Sequence, residues 1–290
     1  MSKPSITCIN GTFMPAEHAT IPVADRGFRF GDGVFETLAL VDGTPYQWQE
    51  HINRLNAGLA ALRIAAPDVD WASVAQQLIH KNQTTDGFLR IAISRGIGSR
   101  GYMPDAEIKP TWVMEIIPAT PMPEKPYTLW HGTITRPPLS ALPANHKLAH
   151  GIGSTLALME ARDQNCDEAL LLSHDGNLSE CASGNLFWIT GEKIYTPALS
   201  TACLAGTTRA AILRLSPIEV EEVVANIDSL AYAEAAFISN TRLGVCPIAT
   251  LAPHTKKFDT AHPVIRDLTA RLDADRAAYV IVNRAEWMAT

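Results

Sequence analysis

Three stretches carry residue types that can do chemistry. In PANHKLAHG, residues 143–151, a single lysine, Lys147, follows His146 and opens a segment, KLAHGIGSTLALMEA, that soon turns apolar and helical. A lysine so placed is a solvated charge, a salt-bridge partner or a nucleophilic amine. In LSECASGNLFWIT, Glu180 stands in a small-residue turn with Cys181, Ala182, Ser183 and Gly184, ahead of an apolar strand. Such a carboxylate is ordinarily solvated, but a long glutamate among small residues can be drawn into a site and aimed at a buried cation. In LAGTTRAAIL, residues 204–213, Gly206, Thr207 and Thr208 precede and open a predicted helix. Backbone N–H groups at a helix start, with threonine hydroxyls beside them, make a phosphate cradle. An ordinary threonine N-cap has the same sequence.

Several other chemistries are poorly served. His146 and His150 have the i, i+4 spacing of a zinc pair, but a metalloprotease needs glutamate after the first histidine. Lys147 occupies that place and no third ligand is evident, so no metal is expected. GIGSRG, residues 96–101, matches the dinucleotide fingerprint GxGxxG. The residues after it, YMPDAEIKP, hold two prolines and predict no helix, so no helix dipole would hold a pyrophosphate. Its flanking Arg95 and Arg100 can instead present a guanidinium fork to a carboxylate, or be solvated loop residues. No GxSxG elbow is present. A nucleophilic lysine, a carboxylate for a ring nitrogen and a phosphate cradle are together what pyridoxal 5′-phosphate requires. The amine condenses with the aldehyde, and the carboxylate keeps the pyridine nitrogen protonated so that the ring accepts electrons.

The elements that must position these groups fall into two sets. A proline-rich run, PATPMPEKP at 118–126, reads as an extended linker. It divides a small domain, 1–117, from a larger one, 127–290. Before the linker, Asn10-Gly11 and Asp42-Gly43 predict hairpin turns. Ile52, Leu55, Leu59 and Leu62 mark an amphipathic helix over QEHINRLNAGLAALRI. WASVAQQLIHKN predicts a second helix, and GFLRIAIS and TWVMEII predict buried strands. After the linker, YTLWHGTIT, DEALLLS, GNLFWIT, KIYTP, IEVEEVV and EAAFISN predict strands. GSTLALMEARDQ, TTRAAILRL and IDSLAYA predict helices. Strands joined by hairpins and interspersed with helices give a mixed α/β, or α+β, fold.

Composition narrows the setting. The chain has 290 residues, a hydrophobic fraction of 47% and a net charge of −6, with no basic cluster to suit a nucleic acid and no run long enough to span a bilayer. Five scattered cysteines, Cys8, Cys166, Cys181, Cys203 and Cys246, form no CxxC pair. They read as reduced, mostly buried thiols in a cytoplasmic protein, and the N-terminus lacks a signal-peptide core.

In sequence order, VADRGFRFGDGVFET, EHINRL, SRGIGSRGY, the lysine, DEALLLSHDGNLSECASGNLFW, LAGTTR and ISNTRLGVCPI cover nearly the whole chain. This series resembles the fold-type IV pyridoxal-phosphate enzymes: branched-chain aminotransferases, D-amino-acid aminotransferases and aminodeoxychorismate lyases. The resemblance implies a small N-terminal and a larger C-terminal domain with the cofactor between them. It implies a homodimer or larger assembly in which a loop of the partner completes the active site. Lys147 would carry the Schiff base and Glu180 would pair with the pyridine nitrogen. Arg54, Thr207, Thr208 and Thr241 would bind the phosphate, and Leu204 would pack on the ring.

Among these families, SRGIGSRGY, GDGVFET and ECASGNLFW look most like bacterial aminodeoxychorismate lyase, which forms 4-aminobenzoate and pyruvate for folate synthesis. That likeness puts Arg100, Tyr102 and Phe35 on the substrate side and gives Thr37 a part in proton shuttling. Lys147, once released, would act as general base and acid. The chain departs from the pattern at His150, where asparagine is usual, and at Ile152, where branched-chain enzymes carry tyrosine. A transaminase acting on D-amino acids, branched-chain amino acids or (R)-amines is the alternative.

Overall fold

A computed structural model describes residues 5–288. The chain forms two compact units. The first holds the residues up to Pro121 together with His146–His150 and the residues from Arg276 onward, and the second holds Met122–Asn145 and Gly151–Asp275. The change of unit after Pro121 falls within the proline-rich run. Two short pieces later in the chain nevertheless belong with the first unit, and one of them contains Lys147.

The first unit is built from β1 (Ile6–Ile9), β2 (Thr12–Pro15), a single-turn helix α1 (Arg26–Phe30), β3 (Gly33–Val41), β4 (Thr44–Pro45), α2 (Trp48–Ala61), α3 (Trp71–Asn82), β5 (Gly87–Ser94) and β6 (Thr111–Pro118). Its six strands lie in the order β2-β1-β6-β5-β3-β4, and each neighbouring pair is antiparallel. Both predicted hairpins form. Asn10 and Gly11 have φ of 49° and 85°, and Asp42 and Gly43 have 47° and 74°. Two consecutive positive φ values match the twist of the flanking strands.

One face of this sheet is apolar. Val34, Leu38, Leu40, Leu89, Ile91, Ile93 and Met114 pack with Leu55 and Leu59 of α2 and Leu78 of α3. Glu36 is on that same face, with 0% exposure. Its carboxylate is bound by two α2 residues one turn apart. Arg54 donates from Nε to Oε1 at 2.6 Å and from Nη2 to Oε2 at 2.7 Å, and His51 Nδ1 lies 2.6 Å from Oε2. Burial works to raise the Glu36 carboxyl, but the bonds from Arg54 and then His51 outweigh it and hold it at about 2. Burial pushes His51 down, so its ring is neutral and donates through Nδ1. This buried ionic group fastens α2 to β3.

The second unit contains β7 (Tyr127–Thr135), α4 (Ile152–Asp163), β8 (Glu168–Leu172), β9 (Leu178–Cys181), β10 (Asn185–Thr190), β11 (Lys193–Pro197), α5 (Thr207–Leu215), β12 (Val220–Val223), β13 (Ala235–Asn240), β14 (Gly244–Ala252) and β15 (Lys256–Lys257). The sheet runs β12-β11-β10-β13-β14-β7-β8-β9, with β15 on β14. The β11–β12, β14–β7 and β7–β8 pairs are parallel, so the sheet is mixed. Alternate β10 residues enter different cores. Leu186 and Trp188 join Leu129 and Ile248, while Phe187 and Ile189 meet Ile212 of α5 and Leu268 of the last helix, α6 (Pro263–Met288). Four of the cysteines are buried and all five are free thiols. Among the described residues no helix is long and apolar enough to cross a membrane.

The structure departs from the sequence reading in a few places. Glu180 sits in a strand, β9, and not in a turn; the turn begins after Cys181. IDSLAYA forms a short 3₁₀ segment, Ile227–Ala231. The single turn α1, strand β14 and the 26-residue α6 had no sequence-based expectation.

The folded Glu36 carboxyl lies below its ordinary value, so its contribution to stability is complete above about pH 4.5 and is lost as pH falls toward 2. Glu36→Gln should therefore lower stability at pH 7 by roughly 3 kcal/mol. The gap to the parent protein should narrow as pH drops through that window, as read by urea denaturation at pH 7, 4 and 3.

Candidate active site

In the first unit, residues 146–150 lie beside β3 as a short antiparallel partner. Phe35 N–H donates to the Lys147 carbonyl at 3.1 Å, Ala149 N–H donates to the Gly33 carbonyl at 2.8 Å, and Val34 faces Leu148 across the pair. Extended chain turns successive side chains to opposite faces. Leu148 therefore joins Val34 in the core, and Lys147 emerges on the other face, with its Nζ 4.4 Å from the centre of the Phe35 ring. Thr37 is on the same face, two residues along β3. Arg90 of β5 stands directly opposite Thr37, with its Cζ 4.3 Å from the same Phe35 ring. Arg90 also faces Glu115 of β6, at a loose 3.8 Å. Lys147, Phe35, Thr37 and Arg90 thus form one patch, of which Arg90 had no sequence-based expectation.

The two flanking histidines go to different places. His146 packs near Gly58 of α2, and burial pushes its ring down. His150 packs against Gly31, whose φ of +65° closes α1. Among the described residues no three metal-ligating side chains converge. Arg54, expected at a phosphate, has its guanidinium fork on Glu36. Arg100 and Tyr102 stand out on the loop between β5 and β6, both exposed, Tyr102 at 87%. No helix follows GIGSRG, since the chain runs on as a loop to Thr111.

In the second unit, Glu180 is buried on β9, opposite Leu171 of β8. Its Oε1 lies 3.1 Å from Nε of Arg136, which follows β7, and its Oε2 accepts the Leu204 N–H at 2.9 Å. Arg136 also donates to the carbonyls of Ala202, at 3.1 Å, and Ala144, at 2.6 Å. One guanidinium thus braces both the carboxylate and two loop backbones. The long separation of Arg136 and Glu180 in sequence hides that pairing from any local signal.

Leu204 also connects to the start of α5. Asn185 Nδ2 donates to the Leu204 carbonyl at 2.8 Å. A Cβ on Gly206 would meet Asn185 Oδ1 at 2.1 Å, so any side chain there would displace the Asn185 amide. Gly206 is the N-cap of α5, no side chain caps that end, and Thr207 and Thr208 are buried in its first turn. Arg209, buried on the next position, donates to the Pro197 carbonyl at 3.0 Å and pairs with Glu222 at 2.5 Å. Thr241 lies in the turn after β13. Neighbouring Asn240 bonds the Ser183 carbonyl from the β9–β10 turn at 3.0 Å. A second buried carboxyl, Glu168, bonds Ser183 Oγ and the Ala169 N–H, and burial pushes it up. The structure therefore brings Glu180, Leu204, Thr207 and Thr208 into one connected group, with Thr241 on a turn bonded to it.

These donors fit pyridoxal phosphate. Glu180 is a buried anion suited to a protonated ring nitrogen, and α5 opens with an uncapped helix end that favours a phosphate dianion. Lys147 supplies a primary amine on a partly covered sheet face.

Comparison with known proteins agrees. The family model for class IV amino-transferases matches residues 33–251. An aminodeoxychorismate lyase of Vibrio harveyi is 31% identical, over 92% of this chain and 98% of its own. The 4-amino-4-deoxychorismate lyase of Pseudomonas aeruginosa superposes with a TM-score of 0.81 at 28% identity, covering 93% of this chain and 98% of that one. The branched-chain amino acid aminotransferase of Escherichia coli superposes with a TM-score of 0.84 at 25% identity, covering 92% of each chain. With a fold-type IV architecture and a donor set that fits the cofactor, the chain belongs to the class IV aminotransferase family and is a pyridoxal-phosphate-dependent enzyme.

Proposed function

We propose that the enzyme is a 4-amino-4-deoxychorismate lyase that releases 4-aminobenzoate and pyruvate and serves folate synthesis. The observation that carries this reading is the patch on β3: the Lys147 amine rests on Phe35, and the Thr37 hydroxyl is on the same face two residues away. The likeness to two lyases supports it. Elimination of pyruvate needs one proton taken from the substrate ring and one delivered to the departing enolpyruvyl group, and no keto acid is consumed. Lys147 would hold the cofactor through its amine, and with that amine free its Nζ would carry those protons. Thr37 orients and relays them.

When bound, pyridoxal phosphate supplies an electron-accepting ring that stabilises negative charge at the carbon bearing the amine. Glu180, held by Arg136 and the Leu204 N–H, would keep the ring nitrogen protonated. Thr207, Thr208, Thr241 and Arg54 would hold the phosphate, and Leu204 would pack on the ring. Arg100 and Tyr102 bind a substrate carboxylate, Phe35 packs on the substrate, and Arg90 adds a cation suited to a dianion. The exposure of Arg100 and Tyr102 suits a loop lent to a second copy, so the proposal includes a homodimer, placed in the cytoplasm. It also takes 118–126 as the connection between a small N-terminal and a larger C-terminal domain.

A transaminase is the competing reading, favoured by the likeness to a branched-chain aminotransferase. The two differ in fate. A lyase returns the cofactor to its starting form at each turnover, whereas a transaminase leaves it aminated until a keto acid arrives. Incubated with 4-amino-4-deoxychorismate, the holoenzyme should form equal amounts of 4-aminobenzoate and pyruvate without a keto acid. Its visible absorption band should survive turnover and should survive D-alanine. Rapid bleaching by D-alanine without any aromatic product would replace the lyase by the transaminase.

Two variants probe the machinery. Lys147→Ala should lose the visible band of the covalently held cofactor and at least about a thousandfold in turnover. Thr37→Val should keep the band and lose roughly 10²-fold in kcat.

A further inference from the structure

The loop bearing Arg100 and Tyr102 is exposed yet firmly held. Two nitrogens of one guanidinium grip consecutive carbonyls: Arg26 Nη1 donates to Gly101 O at 3.0 Å and Nη2 to Tyr102 O at 2.8 Å. The Arg26 side chain is only 4% exposed, and its Nε donates to Asp32 Oδ2 at 2.8 Å. Asp32 in turn holds Arg95, by 2.7 Å and 2.9 Å bonds. Arg95 donates onward to the carbonyls of Leu62 and Arg63 after α2, at 2.8 Å and 2.9 Å. The grip thus reaches from the loop tip to the end of a core helix.

Independent contacts converge on the same arginine. A Cβ on Gly98 would meet Arg26 Cδ at 3.2 Å and Ile108 Cδ1 at 2.9 Å, so this part of the loop lies flat against the arginine stem. Arg26 Cζ lies 4.8 Å from the centre of the Phe30 ring, and the Tyr102 ring packs on Phe30 at 5.5 Å. Gly101 has φ of +102°, a conformation that side-chain-bearing residues rarely adopt. A planar fork on the Gly101 and Tyr102 carbonyls fixes the peptide planes on both sides of Tyr102. Those planes set where the Tyr102 side chain leaves the loop and anchor the chain one glycine away from Arg100.

We propose that Arg26, clamped by Asp32, is a positioning residue that presents Arg100 and Tyr102 to the substrate carboxylate. The inference rests on the reading above that Arg100 and Tyr102 bind that carboxylate. A lysine at 26 keeps the charge beside Asp32 but offers no fork, so it separates positioning from folding.

The holoenzyme and its Arg26→Lys, Arg100→Ala and doubly substituted forms would be assayed with 4-amino-4-deoxychorismate, or with D-alanine and a keto acid if that pair is turned over. Binding of 4-aminobenzoate or D-lactate would be followed through the visible band. Arg26→Lys should raise KM and the ligand dissociation constant about tenfold, with kcat within threefold and the band and melting temperature unchanged. In the Arg100→Ala background the same substitution should add less than twofold, because the residue it positions is gone. An unchanged KM in Arg26→Lys, or a full tenfold effect in both backgrounds, overturns the inference while leaving the substrate reading intact. An unchanged KM in Arg100→Ala overturns that reading, and the inference with it.

Discussion

The chemistry depends on strict two-residue alternation along β3 and its partner segment. Val34, Glu36 and Leu38 enter the core, and Phe35 and Thr37 face the other way. The pairing of Val34 with Leu148 puts Lys147 on the Phe35 side. A slip of one residue would drive the lysine among Leu38, Leu55 and Ile93 and lift Leu148 out. An unpaired buried ammonium costs several kcal/mol, so the core enforces the register that keeps the Lys147 amine out of it. The same alternation sends Glu36 inward, where it needs Arg54 and His51. One strand thereby places the Lys147 amine on one face and orients Arg54 through the other.

The second unit solves a different problem, that of holding a buried carboxylate beside the start of α5. Glu180 is buried in a four-residue strand. A guanidinium at 3.1 Å and a backbone N–H at 2.9 Å bind its two oxygens. Because the N–H belongs to Leu204, the carboxylate also fixes the chain two residues ahead of Gly206. Asn185 repeats the arrangement from the other side, bonding the Leu204 carbonyl and pressing on Gly206. The Glu180 carboxylate and the helix start are therefore coupled through Leu204 and Asn185.

Much of this was legible in the sequence, and the exceptions have physical causes. The hairpins were readable because Asn-Gly and Asp-Gly tolerate positive φ, and α2 and α3 because their apolar positions recur at three and four. Lys147, Glu180 and the GTT start of α5 stood out as chemistry-bearing types in unusual settings. LSECAS is short and made of small residues, so its sequence predicts a turn at Glu180; only pairing with β8 makes it extended. Arg136 and Arg90 were missed for a related reason. Each is a lone arginine at or within an apolar strand, and its meaning lies in partners on other strands. The long α6 shows no single stripe, since Ile265, Leu268 and Leu272 serve one core and Trp287 another.

The β5–β6 loop shows how local order can serve recognition. Ordering a loop residue costs about 1–2 kcal/mol, and burying an arginine costs more unless each N–H is met. Here the Arg26 grip, the bonds from Ser99 to Asp105 and the close approach of Gly96 to Lys109 all restrain a segment that buries little apolar surface. Core packing does not offset that restraint, since Tyr102, Met103 and Ile97 remain exposed. The backbone that carries Arg100 and Tyr102 is thus ordered ahead of any encounter, which lowers the ordering cost of binding there. If Arg100 and Tyr102 bind a carboxylate as proposed, that prior order is what keeps an exposed loop from losing conformational freedom on meeting it.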